Sequence, residues 1–217
     1  SGSKQIITAI SKILLTIMNT FEEGLLKYLN KQQLLTIQSK HIGLAGAGGL
    51  GSNVAIILVR SGFKHFEILD QDTIDASNLN RQQYFLNEIG KVKVDTLKSR
   101  LLEINPDLEI ITHQTKWTPE IGDQFFINKH FIIEAFDQAA CKHRFVDYYS
   151  DKVPYLISGV GMAGLLDKKP MTIKKLGNIF ICGDRVTDAA CGNPPMAPRV
   201  IMCAAMMAEI VLDYSLK

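Results

Sequence analysis

The order of apolar and polar positions divides the chain into a helical lead-in and an alternation of strands with helices. Residues 5–18 place Ile6, Ile10, Ile13, Leu14 and Ile17 at helical spacing, and two further helical stretches span 21–29 and 31–38. The first compact apolar run of strand length is 41–45, which ends in glycines. A helix over 48–61, a strand over 66–69 and a helix over 91–104 follow, the last stopped by Asn105-Pro106 because the residue before proline disfavours the helical region. Strand candidates at 109–112, 131–134 and 155–158 come next, with a helix over 139–149 before the last. Strands alternating with helices of this length predict an α/β fold, a Rossmann-like doubly wound and mostly parallel sheet. Beyond Ser158 the pattern changes. Gly159, Gly161 and Gly164 loosen the chain, 171–176 and 178–182 read as a hairpin around Gly177, and 199–214 closes as a largely apolar helix after a proline-marked loop. This divides the chain into a helical N-terminal extension, 1–40, and a single domain, 41–217.

Composition narrows the picture without redirecting it. The 217 residues carry 24 Lys+Arg against 22 Asp+Glu, a net +2, so the basic excess of a nucleic-acid-coating surface is absent and no nucleic-acid partner is expected. Lys12 and Glu209 interrupt the longest apolar runs, which excludes a membrane span from these segments, and Lys12 also reads against a signal peptide. A cytoplasmic location is therefore expected. The four cysteines, Cys141, Cys182, Cys191 and Cys203, are too scattered for a disulfide framework. The five histidines are dispersed, with no metal-ligand spacing.

The chemistry concentrates after the first strand. Gly46-Ala47-Gly48-Gly49-Leu50-Gly51 satisfies G-x-G-x-x-G between a strand and a helix, where Gly46, Gly48 and Gly49 let backbone approach a phosphate and Gly51 allows close helix–strand packing. Asp70 ends the second strand, where an acid can hold ribose hydroxyls. To this point an NAD-dependent oxidoreductase would look the same. The next segment, Ser77-Asn78-Leu79-Asn80-Arg81-Gln82 with Gly90-Lys91-Val92-Lys93, separates the two. A triphosphate attacked by a carboxylate brings two anions together, and Arg81 and Lys93 are suited to neutralise the leaving pyrophosphate, with Asn78 as a polar anchor.

The order GAGGLG, D-x-D, SNLNRQ, GKVK and Phe136-Asp137-Gln138 resembles the adenylyltransferases that activate ubiquitin-like proteins, the ThiF/MoeB/HesA superfamily, and most of all its short ThiF-like members. Cys182-Gly183-Asp184 and Met196-Ala197-Pro198-Arg199-Val200 are similar to a compact branch of that family. The resemblance implies ATP-dependent adenylylation of the C-terminal Gly-Gly carboxylate of a small sulfur carrier, ThiS-like, in thiamine thiazole synthesis. Another carrier (MoaD-like) or a small substrate such as a modified tRNA base is the alternative within the family; a catalytically silent scaffold is a further one. The resemblance also implies a homodimer, and roles for individual residues: Asp70 with the ribose, Asn78, Arg81 and Lys93 with the phosphates, Asp137 with Mg²⁺, and Asp72 and Gln82 as further nucleotide-binding residues. Gln138 stands where the family has asparagine, Arg144 falls where it often has an arginine, and Glu134 is read as a strand-end neighbour rather than a second metal ligand.

Three features depart from the family pattern. No arginine precedes Arg60, so the arginine that relatives send into a partner's site has no counterpart, and a lysine among Lys4, Lys12, Lys27, Lys31 and Lys40 would have to serve. Some relatives use a catalytic cysteine; Cys191, in a loop before Gly192-Asn193-Pro194, is the candidate here. The paired CxxC motifs that bind structural zinc in many relatives have no counterpart. Elemental analysis of the purified protein is therefore expected to find no stoichiometric zinc; one zinc per chain would contradict the cysteine reading.

Overall fold

Alternation of strand and helix carries through the computed structural model of the chain, which describes residues 18–164, 169–187 and 192–217. Two short helices, α1 (Thr20–Leu25) and α2 (Lys31–Gln38), precede β1 (His41–Ala45), α3 (Gly49–Arg60) and β2 (His65–Leu69). After two single-turn 3₁₀ segments come α4 (Lys93–Ile104), β3 (Glu109–His113), α5 (Pro119–Phe126), β4 (Phe131–Glu134), α6 (Ala139–Tyr149) and β5 (Tyr155–Gly159). The chain closes with β6 (Thr172–Leu176), β7 (Ile179–Gly183) and α7 (Ala197–Leu216).

The seven strands form one sheet in the order β3-β2-β1-β4-β5-β7-β6, parallel except where β6 pairs antiparallel with β7. Alternate residues along each strand face opposite helical layers, as the period of two requires. Ile42 and Leu44 of β1, Ile68 of β2 and Ile133 of β4 enter the larger core under α2, α3, α4 and α7. Ile132 and Leu156 face the other side, against Trp117, Phe126, Phe145 and Tyr149 of the α5–α6 layer. Chain order reverses between β1 and β4, and an α/β sheet of this kind opens a crevice at such a point, outside the carboxyl ends of its strands.

Several boundaries differ from the sequence reading for local reasons. The expected helix over 5–18 lies outside the described residues. The helix expected over 21–29 ends at Leu25. α4 begins at Lys93 rather than 91, because Val92 bridges Thr73 and the Lys93 amide donates to the Asp72 carbonyl, holding the chain extended. α5 is an addition: Thr118 caps it and Pro119 occupies its first turn, where a missing N–H costs nothing. Pro198 is likewise accommodated in the first turn of α7, which starts at Ala197. No helix among the described residues is long and apolar enough to cross a membrane.

At the amino ends of the central strands three imidazoles gather. His41 stacks on His65 with centroids 4.5 Å apart and on His130 at 5.8 Å. The His41 amide donates to His130 Nδ1 at 3.0 Å, so that nitrogen must be unprotonated in the folded chain. Burial holds His41 below its ordinary pKa, reinforced by His65, His130 and Lys129 and opposed by Glu109. Burial and then Lys40 lower His130 in the same way. Both groups bind protons more readily unfolded, so their contribution to stability is present above the unfolded value of about 6.5 and is lost as pH falls through it. The urea midpoint is expected to drop on going from about pH 7.5 to about pH 5.5. The drop should be smaller in His130→Asn, whose amide oxygen keeps the acceptor without titrating; an equal drop in both would contradict this origin.

Candidate nucleotide and carboxylate site

At the carboxyl ends of β1, β2, β4, β5 and β7 lies a cavity of about 680 Å³. Gly46, Gly48, Gly49, Asp70, Asp72, Arg81, Gln82, Lys93 and Asp137 all line it. The fold thus brings together, from five separate stretches of the chain, most of the residues singled out in the sequence.

The glycine loop is held from two sides. Asp70 Oδ2 accepts from the Ala47 amide at 2.7 Å and Oδ1 from the Asp72 amide at 2.8 Å. Burial raises the Asp70 carboxyl above the usual carboxylate range, although these amides and Lys93 pull the other way. From below, the Tyr84 hydroxyl donates to the Ala47 carbonyl at 2.7 Å. Gly51 lies in the first turn of α3, where a Cβ would stand 1.8 Å from the Gly46 carbonyl oxygen, so no side chain is possible. Gly48 caps α3 with no side-chain hydrogen bond, which leaves the amides of the first turn directed at the cavity without a capping group.

Around this helix end the cations differ in how they are held. Lys93 is buried and its Nζ meets Asp72 Oδ2 at 2.9 Å. The Arg81 stem lies beside Gly49, and its Nη1 donates to the Ser77 carbonyl at 3.1 Å and to Asn80 Oδ1 at 2.7 Å. Gln82 is buried next to Gly48 with an Oε1 that has no hydrogen-bond partner among the described residues. Asn78 stands apart from the cavity lining: its Oδ1 accepts from the Asp75 amide at 3.1 Å, so its side chain closes its own turn.

Across the cavity, Asp137 is exposed just before α6. Glu134, fully buried beneath it, is saturated. Its Oε1 accepts from the Phe136 amide and Lys142 Nζ, and its Oε2 accepts from Lys142 Nζ at 2.7 Å and Ser158 Oγ at 2.6 Å. Glu134 therefore fixes the turn that carries Asp137 and has no free lone pair for a metal. Among the described residues no group of three or more His, Cys, Asp or Glu could hold a metal. A hard cation here would rest on Asp137, with phosphate oxygens and water as its remaining ligands, the usual arrangement for Mg²⁺.

The cysteines separate clearly. Cys182 and Cys203 are buried, and burial pushes both thiols up to about 12, which makes them inert. Cys141 is half-buried and lines the cavity, a position its helical spacing did not indicate. Cys191 lies outside the described residues. Tyr84, Lys142 and Ser158 support the site without having been singled out; each reaches it through a fold contact that no local motif announces.

Residues 22–216 match the ThiF family. The chain belongs to that family. It is 34% identical over 142 residues to the tRNA threonylcarbamoyladenosine dehydratase of Bacillus subtilis, covering 64% of this chain and 56% of that protein. It is 33% identical over 120 residues to the adenylyltransferase and sulfurtransferase uba4 of Aspergillus niger, 55% of this chain and 25% of that protein. The chain thus spans between a quarter and about half the length of these two relatives. Among solved structures, the Escherichia coli tRNA N6-threonylcarbamoyladenosine dehydratase TcdA in complex with AMP superposes with a TM-score of 0.79 at 19% identity, covering 89% of this chain and 93% of that one. At that identity the likeness speaks for the fold, a Rossmann-like α/β sheet shared across the ThiF family.

Because Glu134 is buried and paired, Glu134→Ala leaves Lys142 and the Phe136 amide without their acceptor. A loss of about 3 kcal/mol in unfolding free energy is expected, read by chemical denaturation. A loss under about 1 kcal/mol would mean that the Asp137 turn is held by something else.

Proposed function

We propose that this chain binds ATP with Mg²⁺ and transfers its adenylyl group to a carboxylate, releasing pyrophosphate. The observation that carries the reading is the meeting, in one cavity, of an uncapped helix end, Arg81 and Lys93 on one side and the exposed carboxylate of Asp137 on the other. The relatives support it: the E. coli neighbour was solved with AMP, and the Aspergillus relative carries adenylyltransferase in its name. An NAD-dependent oxidoreductase would use the glycine loop but has no need of the remaining groups.

In this reading the first-turn amides of α3 receive the phosphates, and Asp70 keeps lone pairs for the ribose while it anchors the loop. Lys93 exchanges Asp72 for a phosphate oxygen, and Arg81 swings from Ser77 and Asn80 toward the charge that builds on the departing pyrophosphate. Gln82 offers its unpartnered oxygen to a donor of the ligand. Mg²⁺, when bound at Asp137, neutralises phosphate charge.

The acyl substrate is read as the C-terminal Gly-Gly of a ThiS-like sulfur carrier in thiamine thiazole synthesis, supported by the CGD and MAPRV segments, with the enzyme acting as a cytoplasmic homodimer. The likeness to the Bacillus dehydratase supports a second reading. The threonyl group of threonylcarbamoyladenosine also ends in a carboxylate, so tRNA bearing it could be activated by the same step. Exchange of labelled pyrophosphate into ATP distinguishes the two: it is expected with a Gly-Gly carrier, and exchange only with the modified tRNA would move the assignment to the second. No exchange with either overturns the adenylylation reading. Asp137→Ala should abolish exchange with the fold intact, and Arg81→Ala should slow it by about 100-fold or more; full activity in either would show that its role is misassigned.

A further inference from the structure

The cavity has a second wall that the nucleotide reading leaves unused. Gly48, Asp70, Arg81, Lys93 and Asp137 come from the β1, β2 and β4 side. Beyond β4 in the sheet order, the end of β5 and the turns after β5 and β7 contribute Gly159, Gly161, Ala163 and Thr187, interleaved with Val160, Met162 and Val186, an uncharged wall whose one cation is Arg185.

Arg185 is held in an unusual way. It has φ 60, the only positive value at a non-glycine residue among those described, in a region that L side chains rarely adopt. The neighbouring Asp184 enforces it. That buried carboxylate pairs with Arg199 and accepts from the amides of Val186 and Thr187, while its own amide donates to the Gly161 carbonyl. The Arg185 amide donates to the Val160 carbonyl at 3.1 Å. Gly161 closes against them: a Cβ there would stand 2.1 Å from Asp184 Oδ1 and 2.4 Å from the Arg185 amide. The result is an exposed guanidinium on a rigid turn at the cavity wall. Lys93, Lys142 and Arg199 each hold a carboxylate, whereas Arg185 has no ion-pair partner among the described residues. A non-glycine residue kept in such a conformation by over-determined surroundings is a mark of a functional position.

We propose that Arg185 binds the carboxylate that attacks ATP and orients it along the wall formed by the turns after β5 and β7. This rests on the adenylylation reading, which requires a second anion beside the triphosphate. One carboxylate oxygen forms the new bond to the α-phosphorus as the bond to the pyrophosphate oxygen breaks, and pyrophosphate leaves with that electron pair. Arg185 stays on the other oxygen, which becomes the carbonyl of the mixed anhydride, so its hydrogen bond is kept through the step.

Calorimetric titration with AMP and with 5′-O-(N-glycylsulfamoyl)adenosine, a stable mimic of a glycyl adenylate, separates the two walls. Arg185→Asn removes the charge while asparagine tolerates the left-handed backbone, so the turn is retained and the melting midpoint should not fall. This variant is expected to bind AMP within about twofold of the native chain and the acyl mimic at least about tenfold more weakly, with Arg185→Lys between them. Equal weakening of both ligands, or none of the mimic, overturns the proposal while leaving the nucleotide reading intact. Failure of the native chain to bind AMP overturns both.

Discussion

The carboxylate of Asp70 is the joint on which the site depends. It sits at the end of β2, and its two oxygens accept the amides of Ala47, in the glycine loop after β1, and of Asp72, in the segment leading to Lys93. One side chain thereby fixes the loop that presents the uncapped end of α3 relative to Asp72, the partner of the first cation. Tyr84 locks the same loop from the opposite side through the Ala47 carbonyl. Two polar side chains on the backbone of one residue leave the loop little freedom, and preorganised amides stabilise charge that develops near them more effectively than amides that must first reorient.

Burial sorts the cations around this loop. Lys142 and Arg199 pair with carboxylates of Glu134 and Asp184 whose side chains are 0% exposed, and breaking such a pair costs about 3–5 kcal/mol, so these two are structural. Lys93 is equally buried, but its partner Asp72 is 50% exposed. Asp72, being half exposed, regains water when it is released, so a triphosphate can take its place beside Lys93. Asp72 keeps the buried ammonium satisfied until that happens. Among the described residues Arg81 is held by neutral oxygens and Arg185 by no ion pair, which leaves these two side chains able to follow a substrate. The packing that orders the framework and the looseness that binding needs are thus divided among residues of the same charge.

Much of this was legible in the sequence because it is local. The strands at 41–45 and 131–134 and the helices at 31–38 and 139–149 stand where their apolar spacing placed them. The glycine loop, Asp70, Arg81, Lys93 and Asp137 fall in the one cavity that their motifs implied. What escaped depends on contacts distant in the chain. α5 is only eight residues long, and its signals, Thr118 and Pro119, read equally well as a loop. Tyr84 looks like an ordinary aromatic until β1 brings Ala47 over it, and Cys141 like a core helix residue until α6 is laid along the cavity. Asn78 followed its motif in position but not in contact, since its side chain serves its own turn. Arg185 carries no motif at all; its significance lies in a backbone angle set by Asp184, Gly161 and Arg199 from three different segments.

A crystal structure with Mg²⁺ and α,β-methylene-ATP tests the central claim most directly, because that analogue cannot release pyrophosphate. The account predicts the triphosphate at the amino end of α3, within hydrogen-bonding distance of the first-turn amides, with Lys93 turned from Asp72 to a phosphate oxygen and the ribose against Asp70. Phosphates bound away from α3, or a nucleotide seated while the Lys93–Asp72 pair remains closed, would contradict it.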